Sequence, residues 1–197
     1  MPLLEISGET AVRCGACLDQ PPAYDATFCA VDYGAPVDQL VGALKFRSRL
    51  ALAPMFARLM RDSLLGSGLE APLHALPNLL LPVPLSHGRL TQRGFNQALE
   101  IARPLSRTLG IALEPRLAVR LRDTNAQSTL HPDERRKNIR NAFTISPAFV
   151  DRLHGQHVGV VDDVMTTGET LNELAATLKR FGATRVTNFV FARTLLK

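Results

Sequence analysis

Two carboxylates beside a cluster of hydroxyls mark the stretch of chain best equipped for chemistry, "VGVVDDVMTTGETL" at residues 158–171. Asp162 and Asp163 close the apolar run Val158–Val161, and Thr166, Thr167 and Thr170 crowd around Gly168. An apolar run before them and a helical pattern after them place these residues where a strand passes to a helix. In a parallel sheet, ligands bind at that handover. The unpaired N–H groups and positive dipole end of the helix form an anion site, strongest for phosphate. Threonine hydroxyls add donors, and Gly168 lets the backbone approach a phosphate closely. A phosphate on this turn, with carboxylates beside it, suits a sugar phosphate whose vicinal diol donates to Asp162 and Asp163, with a divalent cation assisting. A plainer account competes, because Thr166 with Glu169 three residues on is a capping box useful to any helix start. A P-loop is excluded, since no Gly-Lys-Ser/Thr stands at the required spacing, and a dinucleotide GxGxxG is absent.

The elements that must position these residues can be read from periodicity. "PVDQLVGALKF" and "LALAPMFARLM" have helical apolar spacing. "LLLPVPL" reads as a buried strand ending at its second proline, followed by a basic loop. A helix runs through Ala98, Ile101, Ala102 and Leu105, with Pro104 expected to bend or restart it. "RLAVRL" alternates like a strand, and "HPDERRKNIR" looks like a short helix with Pro132 in its first turn. "HVGVV" is a strand, "TTGETLNELAATLKRFG" a helix stopped by Gly182, and "RVTNFVFAR" a last strand. Strand, helix, strand with short joints predicts an α/β fold: a mostly parallel central sheet flanked by helices, with a small hood from the N-terminal third.

At "VVDDVMTTGET" the chain resembles the phosphoribosyl pyrophosphate (PRPP) motif of type I phosphoribosyltransferases. Three further stretches, "LLLPVPLSHGRLTQRGFNQALEIA", "ALKFRSRLALAPMFARLM" and "NAQSTLHPDERRKNIRNAF", resemble the ComF (GntX-like) competence branch of that superfamily. Together they cover about residues 14–194. The resemblance implies a magnesium-dependent, PRPP-binding protein that transfers a ribosyl-phosphate group to an unidentified acceptor, a pentosyl transfer. It assigns Asp162 and Asp163 to the ribose hydroxyls, and Thr166, Thr167, Gly168, Glu169 and Thr170 to the 5′-phosphate turn. Arg89, Arg93 and Lys45 are expected to neutralise the pyrophosphate, since guanidinium forks pair bidentately with phosphate oxygens. For each of these cations a solvated basic surface is the competing account. Gln127, Arg135 and Asn138 fall at the family spacing in residues 123–140, a polar stretch expected to close over the site as a lid. The implied cellular role is DNA uptake in natural competence.

ComF relatives usually begin with a zinc ribbon of two Cys-x-x-Cys pairs, whereas here only "CGAC" (Cys14, Cys17) remains, with Cys29 as a third thiol. Structural zinc wants four ligands, so zinc is not expected. Residues 1–30 therefore read as a remnant of that ribbon and residues 31–197 as the phosphoribosyltransferase-like domain. The chain carries 197 residues, 46% of them hydrophobic, and a net charge of +5. Eleven Lys or Arg against five Asp or Glu lie between Ser86 and Arg140, which points to phosphate-rich partners. A second reading follows from that basic stretch, a non-catalytic, PRPP-responsive accessory that grips single-stranded DNA and works with competence proteins. Aromatic content of 6% without tryptophan weakens a base-stacking platform but not backbone binding. No run approaches a membrane span and the start lacks a basic n-region, so a cytoplasmic protein is expected.

Overall fold

The computed structural model describes residues 2–3, 12–13, 15–66, 76–122 and 141–194. Seven strands form the main sheet: β1 (Pro2–Leu3), β2 (Val12–Arg13), β3 (Ala26–Asp32), β4 (Leu79–Pro82), β5 (Ala112–Leu113), β8 (His157–Met165) and β9 (Arg185–Arg193). Their order is β2-β1-β3-β9-β8-β4-β5. Every pairing is parallel except β1 with β2. The two remaining strands, β6 (Ala118–Arg120) and β7 (Phe143–Ile145), pair antiparallel on their own. Central parallel strands are covered on both faces and need apolar residues throughout rather than alternation. β9 fits this, buried from Val186 to Ala192.

Helices supply that cover. On one face lie α2 (Val37–Arg47), α3 (Leu52–Gly66) and α5 (Gln97–Leu109). Val41, Leu44, Phe56, Met60, Ile101 and Leu105 of these helices pack with Leu80, Val161, Phe189 and Phe191 of the sheet. The Phe56 and Phe191 rings stack with centroids 3.8 Å apart. Gly159 of β8 is where this face is tightest: a Cβ there would stand 2.6 Å from Leu80 Cδ2 and 2.8 Å from Pro77 Cγ. On the other face α7 (Glu169–Arg180) presents Leu171, Leu174 and Leu178 to Leu79, Leu81, Val158 and Val160, with the β6–β7 pair alongside. Two short helices, α1 (Gly15–Asp19) and α6 (Val150–Leu153), complete this set, and a 3₁₀ turn at Pro147–Phe149 leads into α6.

The hood expected of the N-terminal third takes the form of α2 and α3 lying on one face, while β3 of the same region joins the sheet and runs across residue 30. Four local expectations are corrected. β4 ends at Pro82, the first proline of "LPVPL" rather than the second. The basic stretch behind it is not a loop but a helix, α4 (His87–Arg93), closed by Gly94 at φ 79°. Pro104 does not restart the helix, since α5 runs unbroken through it and deep burial at Ile101 and Leu105 outweighs the missing hydrogen bond. β8 reaches Met165, so Asp162 and Asp163 belong to the strand itself rather than following it.

Candidate functional site

The site lies at the carboxyl ends of β4 and β8. The pairing of Leu79–Pro82 with Val158–Val161 brings Val83 and the Asp162–Asp163 pair to the same edge, and Val83 N donates to Val161 O at 2.9 Å. A cleft of about 200 Å³ opens there, and Asp162, Asp163, the whole turn from Thr166 to Thr170, Lys45 and Arg89 line it.

The turn is built to present backbone. Gly168 is the residue before α7 and holds φ 81°, a left-handed conformation that favours glycine. A Cβ there would also collide with the Met165 methyl and meet the Tyr24 hydroxyl at 3.4 Å. Gly168, as the cap residue, offers this helix start no side chain. The capping box expected of Thr166 and Glu169 is therefore not formed, because Gly168 and not Thr166 is the cap residue. Thr166 and Thr167 stand exposed at the mouth of the cleft. The first turn of α7 lines the cleft, and the positive end of a helix favours an anion there.

A second wall comes from "RGFNQ". Arg93 ends α4 and Gly94 turns the chain in a left-handed conformation. Phe95 packs on the core beneath. Asn96 caps α5, its side chain accepting from Ala98 N at 3.0 Å, while its Nδ2 donates to Val83 O at 3.0 Å. Asn96 thereby fixes the start of α5 against the end of β4. Gln97, the first residue of α5, is consequently aimed at β8, and its Nε2 donates to Asp163 Oδ1 at 3.3 Å. Arg93 Nη1 in turn donates to Gln97 Oε1. From the other side Lys45, in the last turn of α2, brings its Nζ to 2.6 Å from Asp163 Oδ2. Asp163 is buried, with 3% of its side chain exposed against 21% for Lys45.

Electrostatics separate the two carboxylates. Asp162 is half-buried by its surface, yet its carboxyl is enclosed by protein. Burial, and next the charge of Asp163, hold it well above the usual carboxylate range, with Lys45 opposing. One of its oxygens accepts the Asp163 backbone N–H at 2.9 Å. Burial pulls the half-buried Arg93 guanidinium below its usual value and Arg89 adds to this, while Asp163 and Asp162 work the other way. Two guanidinium groups are thus held close together beside two carboxylates.

Of the residues singled out in the sequence, Asp162, Asp163, Thr166, Thr167, Gly168, Glu169, Thr170, Arg89 and Lys45 converge on this cleft, and Arg93 stands behind Gln97. Gln127, Arg135 and Asn138 lie outside the described residues, as does Cys14. Two cleft residues were not foreseen. Gln97 ended a recognised motif but carried no charge to draw attention. Arg120 lines the cleft from β6, with its guanidinium 5.4 Å from the Phe143 ring centroid, and looked in sequence like one more basic residue of an alternating strand. Of the other thiols, Cys17 is buried, and burial pushes Cys29 up to about 11. Among the described residues no helix is long and apolar enough to cross a membrane, and no group of three metal-ligating side chains gathers.

For magnesium the donors nonetheless fit. A hard cation takes carboxylate oxygen, and magnesium commonly needs only one or two carboxylates because substrate phosphates and water complete its shell. Asp162, with its carboxyl disfavoured as an anion by burial, is the group such a charge would relieve.

The model of the phosphoribosyl transferase domain matches residues 96–195. The DNA utilization protein YhgH of Salmonella typhi is 36% identical over 96% of this chain and 81% of that protein. Competence protein F of Haemophilus influenzae is 33% identical over 93% of this chain and 79% of its own length. Among solved structures, a purine phosphoribosyltransferase from Pyrococcus horikoshii aligns with 86% of this chain and 90% of that one, at 16% identity and a TM-score of 0.35, a likeness too low to bear on the site.

Proposed function

The chain belongs to the family of DNA utilization protein YhgH and Competence protein F and carries a phosphoribosyl transferase domain, and from that premise we propose that it binds PRPP with magnesium and transfers its ribosyl-phosphate group. One observation carries the reading. A helix start entered through a glycine in the left-handed conformation and an adjacent carboxylate pair open onto one cleft that cations also line. That combination matches a ligand with a phosphate at one end, a diol in the middle and a pyrophosphate at the other.

In this reading the N–H groups of the Thr166–Thr170 turn and the threonine hydroxyls hold the 5′-phosphate. The acidic pair governs the ribose. Lys45, Arg89 and Arg93 face the pyrophosphate. When bound, magnesium supplies positive charge to the pyrophosphate oxygens. As the bond from the anomeric carbon to pyrophosphate breaks, the sugar gains positive charge and the leaving group negative charge. Carboxylates beside the ribose and cations beside the pyrophosphate are fixed in place beforehand, which is the most effective form of electrostatic catalysis. No nucleophilic side chain is required, and inversion at the anomeric carbon follows from direct attack by the acceptor. A role in DNA utilisation accompanies this reading through the names of the relatives, and a cytoplasmic location is proposed with it.

The test is thermal. A ligand bound only by the folded state stabilises it by about 2.7 kcal/mol at one hundred times its dissociation constant. Magnesium with PRPP should raise the melting temperature, and Asp162→Asn combined with Asp163→Asn should abolish the rise. An unchanged rise in the double variant refutes the site. Incubation with PRPP and candidate acceptors, with mass spectrometry for a ribosyl-phosphate adduct, separates transfer from binding alone. Salt-sensitive binding of single-stranded DNA without any adduct would instead favour the accessory reading.

A further inference from the structure

The two aspartates are adjacent in sequence and look interchangeable, but their surroundings are not. Both line the cleft, yet Asp163 is turned into the protein: Oδ1 accepts from Gln97, and Oδ2 is buried and faces the Lys45 ammonium at 2.6 Å as an ion pair without hydrogen-bond geometry. Gln97 in turn holds Arg93, so a single carboxylate ties together α2, the start of α5 and the end of α4. We propose that the pair divides its labour: Asp162 receives the ribose hydroxyls, and Asp163 is a positioning residue that holds Lys45 directly, and Arg93 through Gln97, in place for the pyrophosphate.

The physical case rests on exchange. Asp163 Oδ2 is closed off from solvent behind the Lys45 ammonium, so a ribose hydroxyl reaches it only by displacing that cation, a charged partner exchanged for a neutral donor. A hydrogen bond to a neutral hydroxyl is the weaker of the two, and the carboxylate that gives up its cation is buried. Asp162 faces the opposite balance. It is less buried, and its one backbone donor does not offset the enclosure of its carboxyl or the charge of its neighbour. Hydroxyl donors from a diol would improve its position. The cations need an organiser as well. Lys45, Arg89 and Arg93 repel one another, and a fixed anion among them lowers the work of keeping them close before the substrate arrives.

The inference rests on the PRPP reading and is tested with the two halves of that ligand separately. Calorimetric titration with ribose 5-phosphate and with inorganic pyrophosphate, magnesium present throughout, is run on the wild type, Asp162→Asn and Asp163→Asn. Asp162→Asn should weaken ribose 5-phosphate about tenfold or more and leave pyrophosphate nearly unchanged, the size expected for one lost hydrogen bond to a charged group. Asp163→Asn should show the reverse pattern. Gln97→Leu, which cuts the bridge to Arg93 without stranding Lys45, should weaken pyrophosphate alone and serves if Asp163→Asn does not fold. Loss of ribose 5-phosphate affinity in Asp163→Asn or Gln97→Leu, with pyrophosphate binding intact, overturns the division. A wild type that binds neither half overturns the PRPP reading itself, and is thereby told apart.

Discussion

Replacing Lys45 by methionine is the most direct probe of how the site is assembled. The substitution keeps an unbranched stem of similar volume and removes only the charge, leaving Asp163, with 3% of its side chain exposed, without its cation. Removing one partner of a fully buried pair costs about 3–5 kcal/mol. Here the lysine side chain is 21% exposed and Gln97 remains as a donor at 3.3 Å, so part of the carboxylate's charge stays solvated. A loss of about 2–3 kcal/mol is the reasoned value, below the range for full burial and above the 0–1 kcal/mol of a surface pair. For a chain of this size each kcal/mol moves the melting temperature by roughly 2–4 °C, so a fall of about 5–10 °C is expected. Adding Asp163→Asn removes the stranded charge and should restore most of the loss, giving a coupling of about 2 kcal/mol in a double-mutant cycle. The measurement is thermal or urea unfolding of the four proteins at low and moderate salt, and a buried pair should respond weakly to salt. A fall of less than about 2 °C in Lys45→Met, or a double variant as unstable as the sum of the singles, would show that the pair does not hold α2 to the sheet.

Asp162→Asn alone should raise stability at neutral pH. A carboxyl whose folded-state value is raised contributes stability that is complete below its unfolded value and is lost as pH rises from there through the folded one, so at pH 7 the wild type is less stabilised by this group than in acid. Melting curves between pH 4 and 8 should show the gain shrinking as the solution becomes acidic, and a constant gain across that range would contradict the enclosure of Asp162. Gly168→Val should abolish stabilisation by magnesium with PRPP and cost roughly 1–3 kcal/mol, because φ 81° and the Met165 methyl both oppose a side chain; a normal ligand response would clear the turn of a role. Gly159→Ala should cost about 1–3 kcal/mol through overpacking against Leu80 and Pro77, while the response to ligand persists in whatever fraction folds.

Local patterns carried most of the fold because most elements are locally consistent. The apolar runs of β8 and β9, the 3.6-residue period of α7 and the glycine at residue 182, with φ 101°, each state one conformation without help from the rest of the chain. Errors fell where tertiary contacts decide. Pro104 was expected to bend or restart its helix, but α5 is pressed between α3 and the sheet and continues through it despite one lost bond. The 87–93 segment looked like loop because Leu90 is its one large apolar side chain and no apolar period marks a buried face; in the fold it is one short helix, with no residue buried, ending on Gly94.

The site was legible to a different degree on its two sides. The phosphate turn and the carboxylates are contiguous in sequence, so their chemistry is written in a single stretch. The cationic side is assembled from α2, α4, α5 and β6, and only folding reveals that Lys45, Arg93 and Gln97 all report to Asp163. Spacing could name Lys45 and Arg93 as cations for a phosphate, yet it could not say what holds them before a phosphate is there. The structure supplies the missing half of that statement. A buried anion is stable only beside a cation, and clustered cations are stable only beside an anion. In the free protein each of these groups therefore meets the other's need, and a pyrophosphate entering the cleft meets cations already gathered by an acid.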